Sequence, residues 1–303
     1  MSSKPTHLEP SKLGTKEYWD NLYASELQNH ASNPRDEGTV WFDDADAESR
    51  TVLYLDQLTE SATFDHEIRR EDASFLDLGC GNGSLLFALR EDGWRGPMLG
   101  VDYSAASVAL ARQVAEKRKE RRGGDDDDHM DQDEDEDEAG GDQDAMDEVV
   151  DVPSETQDDD DEEKEEEEIP SVEFAEWDVL RGPLEVALGG AQAKTGWDVV
   201  LDKGTFDAVC LSPEQDAQTG RRVCEGYRAR VLRLLKPGGL FLVTSCNWTE
   251  DELRAWFEDA DTAEVDEAGS LAAVGSIEYP SFQFGGAKGQ AISTLCFQKH
   301  AKR

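Results

Sequence analysis

Three closely spaced glycines are the residues of this chain best suited to hold a ligand. Gly79, Gly81 and Gly83 follow the apolar run Phe75–Leu78 and precede a second apolar run, Leu85–Leu89. Glycine allows backbone angles closed to other residues, and the N–H groups at the start of a helix bind polar ligands. The pattern therefore predicts a buried strand, a tight ligand-binding turn and a helix. The glycines alone would also suit a turn that binds nothing.

Two aspartates narrow the range of possible ligands. Asp77 precedes the first glycine, where a carboxylate would repel a pyrophosphate and attract a cationic group. Ser84 stands where a dinucleotide site has its third glycine, so NAD is the weaker interpretation. Asp102 ends the next predicted strand, where a carboxylate can accept hydrogen bonds from both hydroxyls of a ribose. A ribose and a cationic group together predict S-adenosylmethionine as the cofactor.

Strands and helices alternate along the rest of the chain. Apolar runs predict strands over Ser171–Asp178, Trp197–Asp202 and Leu240–Ser245, and a closing antiparallel pair over Ile277–Phe284 and Ala291–Gln298. Periodicity and capping predict helices over Lys16–Gln28, Ala105–Arg122 after Ser104, Arg221–Leu235 and Glu250–Phe257 after Thr249. The alternation predicts a doubly wound, mostly parallel α/β sheet, with ligands beyond the carboxyl ends of its strands.

One segment carries most of the net negative charge of the chain. Residues 125–168 contain 27 Asp or Glu and one Lys, which supply 26 of the 39 net negative charges. Such a composition predicts disorder. We expect an N-terminal helical extension over 1–72, an α/β domain over 73–303, and a disordered acidic insertion over 123–169 within it. The composition fits a solvated loop, an attractor for a basic substrate, or an autoinhibitory mimic of nucleic acid.

Composition also limits the partners. An acidic chain repels phosphate backbones, so we expect no direct contact with nucleic acid, and a basic protein is a better partner. The five cysteines are odd in number and lack C-x-x-C spacing, so we expect neither a disulfide framework nor a metal site. The N-terminus has no apolar signal region, and no run is long enough for a membrane span. These features predict a cytoplasmic protein, with the nucleus as a second possibility.

Longer motifs resemble a known family. The chain resembles the class I, seven-stranded S-adenosylmethionine-dependent methyltransferases at Leu76–Gly83, Gly100–Ser104, Trp177–Asp178 and Leu201–Ala208. It further resembles the Efm4-type lysine methyltransferases of translation elongation factor 1-alpha at Leu13–Asp20, Val40–Phe42, Leu240–Thr249 and Phe282–Gly286. The similarity covers nearly everything outside 125–168.

The resemblance implies a fold, a reaction and residue roles. The fold is a Rossmann-like seven-stranded sheet with helices on both faces and an antiparallel C-terminal strand. The reaction is methyl transfer to a lysine ε-amine of elongation factor 1-alpha, which we expect the protein to perform as a monomer. The implied cofactor-binding residues are Asp77, Gly79, Gly81, Gly83, Asp102, Tyr103, Trp177 and Asp178. Asp202 is implied as the catalytic residue, nearest the reacting methyl group.

Aromatic residues suggest how a lysine is held. Tyr18, Trp19, Trp41 and Trp248 are candidates for a channel around the lysine stem, although aromatic rings more often belong to the core. Lys203 is expected to be a solvated partner of Asp207. Two alternatives stay open: the same fold acting on another protein or a small molecule, and a non-catalytic acidic scaffold.

Overall fold

A seven-stranded sheet forms the centre of the molecule. The computed structural model describes residues 5–60, 68–124, 170–258, 268–284 and 287–301, and the acidic segment 125–168 lies outside them. Its strands are β1 Phe75–Leu78, β2 Met98–Asp102, β3 Val172–Glu176, β4 Trp197–Lys203, β5 Leu235–Ser245, β6 Ser270–Ile277, β7 Ser281–Phe284, β8 Ala287–Gln290 and β9 Ser293–His300. The sheet order is β3-β2-β1-β4-β5-β9-β6, and β7 and β8 form a separate hairpin.

Helices pack on both faces of this sheet. The α-helices are α1 Lys16–Ser32, α2 Ala47–Thr59, α3 Ser84–Glu91, α4 Ala105–Gly124, α5 Leu184–Ala187, α6 Gln192–Thr195, α7 Thr205–Cys210, α8 Tyr227–Leu234 and α9 Glu250–Phe257. Short 3₁₀ helices cover Lys12–Gly14, Asp43–Ala45 and Val223–Gly226. One core cluster joins the sheet to α7, α8 and α9, and a second joins it to α2, α3 and α4. The predicted fold class is therefore confirmed.

Alternation along β4 shows how the two faces are filled. Val200 belongs to the cluster with α7 to α9, whereas Val199 and Leu201 belong to the cluster with α2 to α4. All three side chains are at most 1% exposed. Successive side chains of a strand point to opposite faces, so a strand covered on both sides needs a continuous apolar run.

Parallel pairing brings the ligand-binding residues to one rim. β1 pairs in parallel with β2 and β4, which places Leu78 beside Val101 and Asp202. β3 and β5 extend this parallel group on either side. The carboxyl ends of five neighbouring strands therefore lie side by side, as the doubly wound pattern predicts.

The predicted antiparallel pair at the C-terminus is confirmed at Ile277, which pairs with Thr294, and is wrong for residues 281–284. β9 lies antiparallel between β5 and β6, while Ser281–Phe284 pairs with Ala287–Gln290. Pro280 follows the end of β6 and has no N–H to donate, so the strand cannot continue through it.

One helix start and one helix cap also differ from expectation. α8 begins at Tyr227 rather than Arg221, because Arg222 forms an extended bridge with Gln215. The Ser104 hydroxyl has no hydrogen-bond partner and does not cap α4, although the backbone carbonyl of Ser104 accepts from Val108. Thr249 does form the expected cap, with a reciprocal bond from Glu252.

Candidate functional site

The glycine loop allows two other elements to approach it closely. Gly79, Gly81 and Gly83 have φ angles of +67°, +57° and +83°, in the left-handed region that favours glycine. A Cβ atom on Gly79 would lie 2.0 Å from the Thr205 hydroxyl, and one on Gly81 would lie 2.7 Å from the Tyr23 hydroxyl. The loop is thus shaped by its contacts with α7 and with the N-terminal helix α1.

Asp102 joins the end of β2 to the glycine loop. One carboxylate oxygen accepts from the Gly81 N–H at 3.2 Å, and the other accepts from the Ser104 N–H at 2.8 Å. Burial raises the pKa of this carboxyl to about 6, although these hydrogen bonds oppose the shift. Each oxygen keeps a further acceptor position, so the carboxylate can still bind hydroxyl groups.

Asp77 lies beneath the same loop, 3% exposed. Burial raises its pKa to about 8, while the nearby positive charge of Lys203 lowers it. The carboxylates of Glu48, Asp202 and Asp102 raise it further. A cationic group bound above the loop would favour the ionised form of Asp77.

The structure does not support Asp202 as a cavity residue. Its carboxylate accepts from the backbone N–H groups of Thr205 and Phe206 at 2.9 and 3.1 Å, and from the Tyr227 hydroxyl at 2.5 Å. Its side chain is buried, and burial raises its pKa to about 7. Asp202 therefore fixes the start of α7 and does not line the cavity described below, and its role near the reacting methyl group stays a prediction.

A cavity of about 260 Å³ opens at the strand ends. Seven residues predicted for the site line it: Trp19, Trp41, Gly79, Asp102, Tyr103, Trp177 and Asp178. Asp77, Gly81 and Gly83 do not line the cavity. Asp77 lies beneath the glycine loop, and Gly81 and Gly83 belong to the part of the loop that faces away from the cavity. The structure thus gathers residues from β1, β2 and β3 around one space.

Two of the predicted channel aromatics lie elsewhere. Trp248 is 4% exposed and packs against Phe206 and Trp256 in the core. Tyr18 lies edge-on to Trp19, with the Lys12 ammonium over its ring. Neither residue lines the cavity, because the Trp248 ring packs in the core and the Tyr18 ring lies on the outer face of α1.

The N-terminal segment covers the cavity. Trp19 donates its indole N–H to the Leu13 carbonyl at 2.7 Å, and its ring lies 5.2 Å from that of Trp41. Phe42 has φ 63° and ψ 27°, a left-handed conformation that is strained for a bulky residue. A Cβ on Gly204 would contact its ring at 3.2 Å, so the glycine makes room for Phe42.

Lys203 fastens this cover to the sheet and was not predicted to do so. Its ammonium donates to the Trp41 carbonyl at 3.2 Å and pairs with Glu48 at 3.3 Å. The two side chains are only 14% and 16% exposed, and Glu48 also accepts from Ser84 at 2.5 Å. The expected pairing of Lys203 with Asp207 is wrong, because α2 brings Glu48 to the end of β4.

Asp207 is a cavity residue whose role was missed. Its carboxylate accepts from the Ser245 hydroxyl at 2.5 Å and from the Cys246 N–H at 2.8 Å. It lines the cavity together with Cys246 and Asn247. In the sequence, only the position of Asp207 within the motif Leu201–Ala208 indicated a role. Its hydrogen-bond donors lie at the end of β5, so no pattern near Asp207 could reveal them.

The residues present fit S-adenosylmethionine. Asp102 and Asp178 offer acceptors at the ends of β2 and β3, as a ribose and an adenine amine require. Asp77 provides negative charge beneath the loop for a cationic group. Within the described residues no cluster of His, Cys, Asp or Glu could hold a metal ion.

This combination of sheet order, glycine loop and strand-end carboxylates defines a class I S-adenosylmethionine-dependent methyltransferase. A methyltransferase-domain model matches residues 69–122. The chain is 33% identical to protein-lysine N-methyltransferase EFM4 of Saccharomyces cerevisiae, over 96% of each chain. It is 27% identical to EEF1A lysine methyltransferase 2 of Homo sapiens, over 96% of this chain and 88% of that one.

Among solved structures, the N-methyltransferase NodS of Bradyrhizobium japonicum in complex with S-adenosyl-L-homocysteine aligns with a TM-score of 0.44. It is 14% identical, and the alignment covers 92% of this chain and 99% of NodS. By its near full-length similarity to EFM4, the chain belongs to the EFM4 family of protein-lysine N-methyltransferases.

Proposed function

We propose that the protein methylates a lysine of translation elongation factor 1-alpha, in the cytoplasm. The observation that supports this substrate is the extent of the similarity. EEF1A lysine methyltransferase 2 of Danio rerio matches 98% of this chain, whereas the methyltransferase-domain model reaches only residues 69–122. The match therefore includes the cover over the cavity, which faces an incoming substrate, as well as the glycine loop.

We assign the cofactor contacts from the cavity. Asp102 and Tyr103 would hold the ribose, and Trp177 and Asp178 would hold the adenine. Asp77 would balance the positive charge from beneath the loop. When bound, S-adenosylmethionine supplies a methyl group on a positively charged sulfur. The chain therefore has to align and deprotonate the amine rather than activate the donor.

The lysine has to arrive as a neutral amine. A lysine amine titrates near pH 10.4 in water. Burial and nearby positive charge both lower that pKa, and Lys203 is among the residues that line this cavity. The amine would lose its proton to solvent at the cavity mouth. Its nitrogen lone pair would then be free to accept the methyl group.

Asp207 is the carboxylate that would position the amine. It lines the cavity, and its oxygens are fixed by bonds from the Ser245 hydroxyl and the Cys246 N–H. By accepting one N–H of the lysine amine, Asp207 would leave the lone pair pointing away from itself. The ring faces of Trp19 and Trp41, which line the same space, would hold the alkyl stem.

Methyl transfer in vitro tests this function. The full-length protein is incubated with S-adenosylmethionine and with elongation factor 1-alpha made in bacteria, and peptide mass spectrometry locates the modification. We expect methyl groups on lysine of this protein. A parallel reaction uses an extract of cells that lack the enzyme. Labelling of a different protein there would replace the substrate, and cofactor binding without any transfer would indicate a scaffold.

A further inference from the structure

Two of the five cysteines lie against each other in the core. Cys210 ends α7 and Cys224 lies in the 3₁₀ helix Val223–Gly226, and the two residues are only 1% and 2% exposed. Both are free thiols of the same core cluster, and a hydrogen bond joins one thiol to the other. Two thiols in direct contact need only a small movement to close a disulfide.

Arg222 joins the two segments and sets the charge around them. Its guanidinium donates to the Cys210 carbonyl at 2.8 Å. The hydrogen bond with Cys210 and the positive charge of Arg222 lower the pKa of Cys224, although its burial opposes the shift. Burial raises the pKa of Cys210. A thiolate is the reactive form of cysteine, and a neighbouring arginine favours it. Cys224 is therefore the nucleophile of the pair, and Cys210 is the thiol that attacks the oxidised Cys224.

The pair lies directly behind the wall of the cavity. Val209, Leu211 and Val223 are chain neighbours of the two cysteines, and all three line that wall. A reagent that enters the cavity is therefore separated from the thiols by one layer of side chains. Local opening of such a layer admits a molecule close to water in size, and hydrogen peroxide is an oxidant of that size.

A disulfide would move the end of α7, on which two parts of the site depend. Asp207 lies one turn before Cys210, and its carbonyl accepts from the Leu211 N–H at 3.1 Å. The Leu211 carbonyl accepts from the Ser11 N–H at 3.1 Å, where the N-terminal cover rests on this end. The sulfurs of a disulfide are about 2 Å apart, closer than those of two hydrogen-bonded thiols. Oxidation would therefore displace both the Asp207 carboxylate and the attachment of the cover.

We propose that Cys210 and Cys224 form a reversible disulfide that slows methyl transfer. The Cys224 thiolate attacks one oxygen of hydrogen peroxide and the O–O bond breaks. The hydroxide that leaves takes up the proton that Cys224 released and becomes water. The Cys210 sulfur then attacks the Cys224 sulfenic acid, forms the S–S bond and displaces a second hydroxide, which takes up the Cys210 proton. Two thiols are oxidised, and one peroxide is reduced to two waters.

Such a disulfide differs from a structural framework. Disulfides in reducing compartments are usually transient and often sense oxidants, and reduction by a dithiol restores the two thiols. The chemistry at Cys210 and Cys224 does not depend on the proposed function. Its effect on methyl transfer does rest on that function, so the experiment measures the disulfide and the activity separately.

Peptide mapping without reduction tests the disulfide. The full-length protein is treated with hydrogen peroxide, alkylated and cleaved with trypsin, whose cuts after Arg221 and Arg222 place the two cysteines on separate peptides. We expect these peptides to appear as a linked pair that dithiothreitol separates. Methyl transfer should fall about fivefold on oxidation and recover on reduction. Cys296→Ala, which removes another buried thiol, is the matched control and should still form the linked pair.

Two further variants test the order of attack. Cys210→Ala leaves Cys224 without a thiol to resolve it, so the sulfenic acid should persist and be trapped by dimedone. Cys224→Ala should give no dimedone adduct on Cys210, and peroxide should lower its activity much less than that of the wild type. An equal loss of activity in Cys224→Ala would assign the effect to another thiol, such as the exposed Cys246, and would overturn the proposal.

The wild-type map tests the proposal even if a variant does not fold. Absence of the linked pair under conditions that oxidise the exposed Cys246 would overturn the disulfide. A linked pair with unchanged methyl transfer would overturn its effect on the reaction. Wild-type protein that transfers no methyl group before oxidation would contradict the proposed function alone, because the linked peptides are detected without any substrate.

Discussion

The floor and the cover of the cavity are built in different ways. The floor consists of the strand-end loops at Gly79–Gly83, Asp102–Tyr103, Trp177–Asp178 and Lys203–Ala208, and the cover consists of residues 11–42. The floor is held by backbone geometry: Gly79 donates its N–H to Val101 at 2.7 Å, and Asp102 accepts from two backbone N–H groups. The cover is held by side chains such as Trp19, Lys203 and Tyr23.

Because of this difference, substitutions in the floor and in the cover should affect folding stability and ligand affinity to different extents. A change in the floor disturbs the turns that end the central strands, so it should affect stability and binding together. A change in the cover leaves the sheet intact, so it should affect ligand affinity with little loss of stability. Five predictions, from the largest expected effect to the smallest, begin with the floor.

A side chain at Gly79 should have the largest effect. Gly79→Ala would place Cβ 2.0 Å from the Thr205 hydroxyl at a φ of +67°. We expect the free energy of unfolding to fall by about 3 kcal/mol, from backbone strain plus overpacking, and cofactor binding to be lost. Gly220 is a matched control, because its φ is +68° and nothing lies within 4 Å of its Cβ position. Gly220→Ala should cost only about 1 kcal/mol; equal costs in urea unfolding would show that the contact with Thr205 is unimportant.

Two aspartates of one motif should respond in opposite ways. Asp207→Asn removes the proposed acceptor for the lysine amine, so we expect kcat to fall about a hundredfold with the Kd of S-adenosylhomocysteine unchanged. Asp202→Asn disturbs the buried bonds to Tyr227 and to the backbone of α7, so we expect a loss of stability of about 2 kcal/mol. The measurements are steady-state kinetics, calorimetry and urea unfolding. A large kinetic loss in Asp202→Asn at normal stability would restore the role first assigned to it.

Cofactor binding should release protons at neutral pH. Asp77 has a pKa of about 8 in the folded protein against an ordinary value of 3.8, so its carboxyl is largely protonated at pH 7. A cationic ligand favours the carboxylate, and we therefore expect affinity to rise with pH up to about 8. Calorimetry in buffers of different ionisation enthalpy measures the release. Asp77→Asn should abolish it, and release that persists in this variant would assign the proton to another group.

The raised pKa of Asp77 also makes the stability of the ligand-free protein depend on pH. The folded form binds a proton that the unfolded chain releases above about pH 4, so stability should fall as pH rises from about 4 to about 8. Thermal unfolding across this range measures the slope. Asp77→Asn should reduce it, most clearly above pH 7, because Asp102 and Asp202 have raised pKa values of only about 6 and about 7. A slope that rises with pH would contradict the raised pKa.

The acidic segment should have the smallest effect, and only on encounter with substrate. Replacing the 27 acidic residues of 125–168 by Ser or Asn keeps the length of the segment and removes its charge. If the segment attracts a basic substrate, kcat/KM at low salt should fall by about threefold to tenfold, and the difference should vanish at high salt. An increase in activity would instead support autoinhibition, and no change would support a solvated loop.

The sequence allowed the floor to be predicted because its residues are local. Gly79 to Gly83 and Asp102 lie within short motifs whose spacing fixes the strand, the turn and the next carboxylate. The parallel order of the strands followed from alternation with helices. Each of these inferences needed only neighbouring residues and general rules of α/β folds.

The cover, and the positions of Trp248 and Asp202, could not be predicted because they depend on contacts between residues far apart in the sequence. Lys203 meets Glu48 and the Trp41 carbonyl, both more than 150 positions away, and no local pattern announces either contact. Trp248 follows a strand end, as a channel residue would, but the core of Phe206 and Trp256 takes its ring. Asp202 stands in the expected place, yet bonds from Tyr227 and α7 occupy its carboxylate.

A crystal structure of the full-length protein with S-adenosylhomocysteine tests the central claim most directly. We expect the ribose hydroxyls on Asp102, the adenine beside Trp177 and Asp178, and the amino-acid portion between the glycine loop and Trp41. The cover should stay closed over it. A ligand bound outside this cavity would contradict the division into floor and cover.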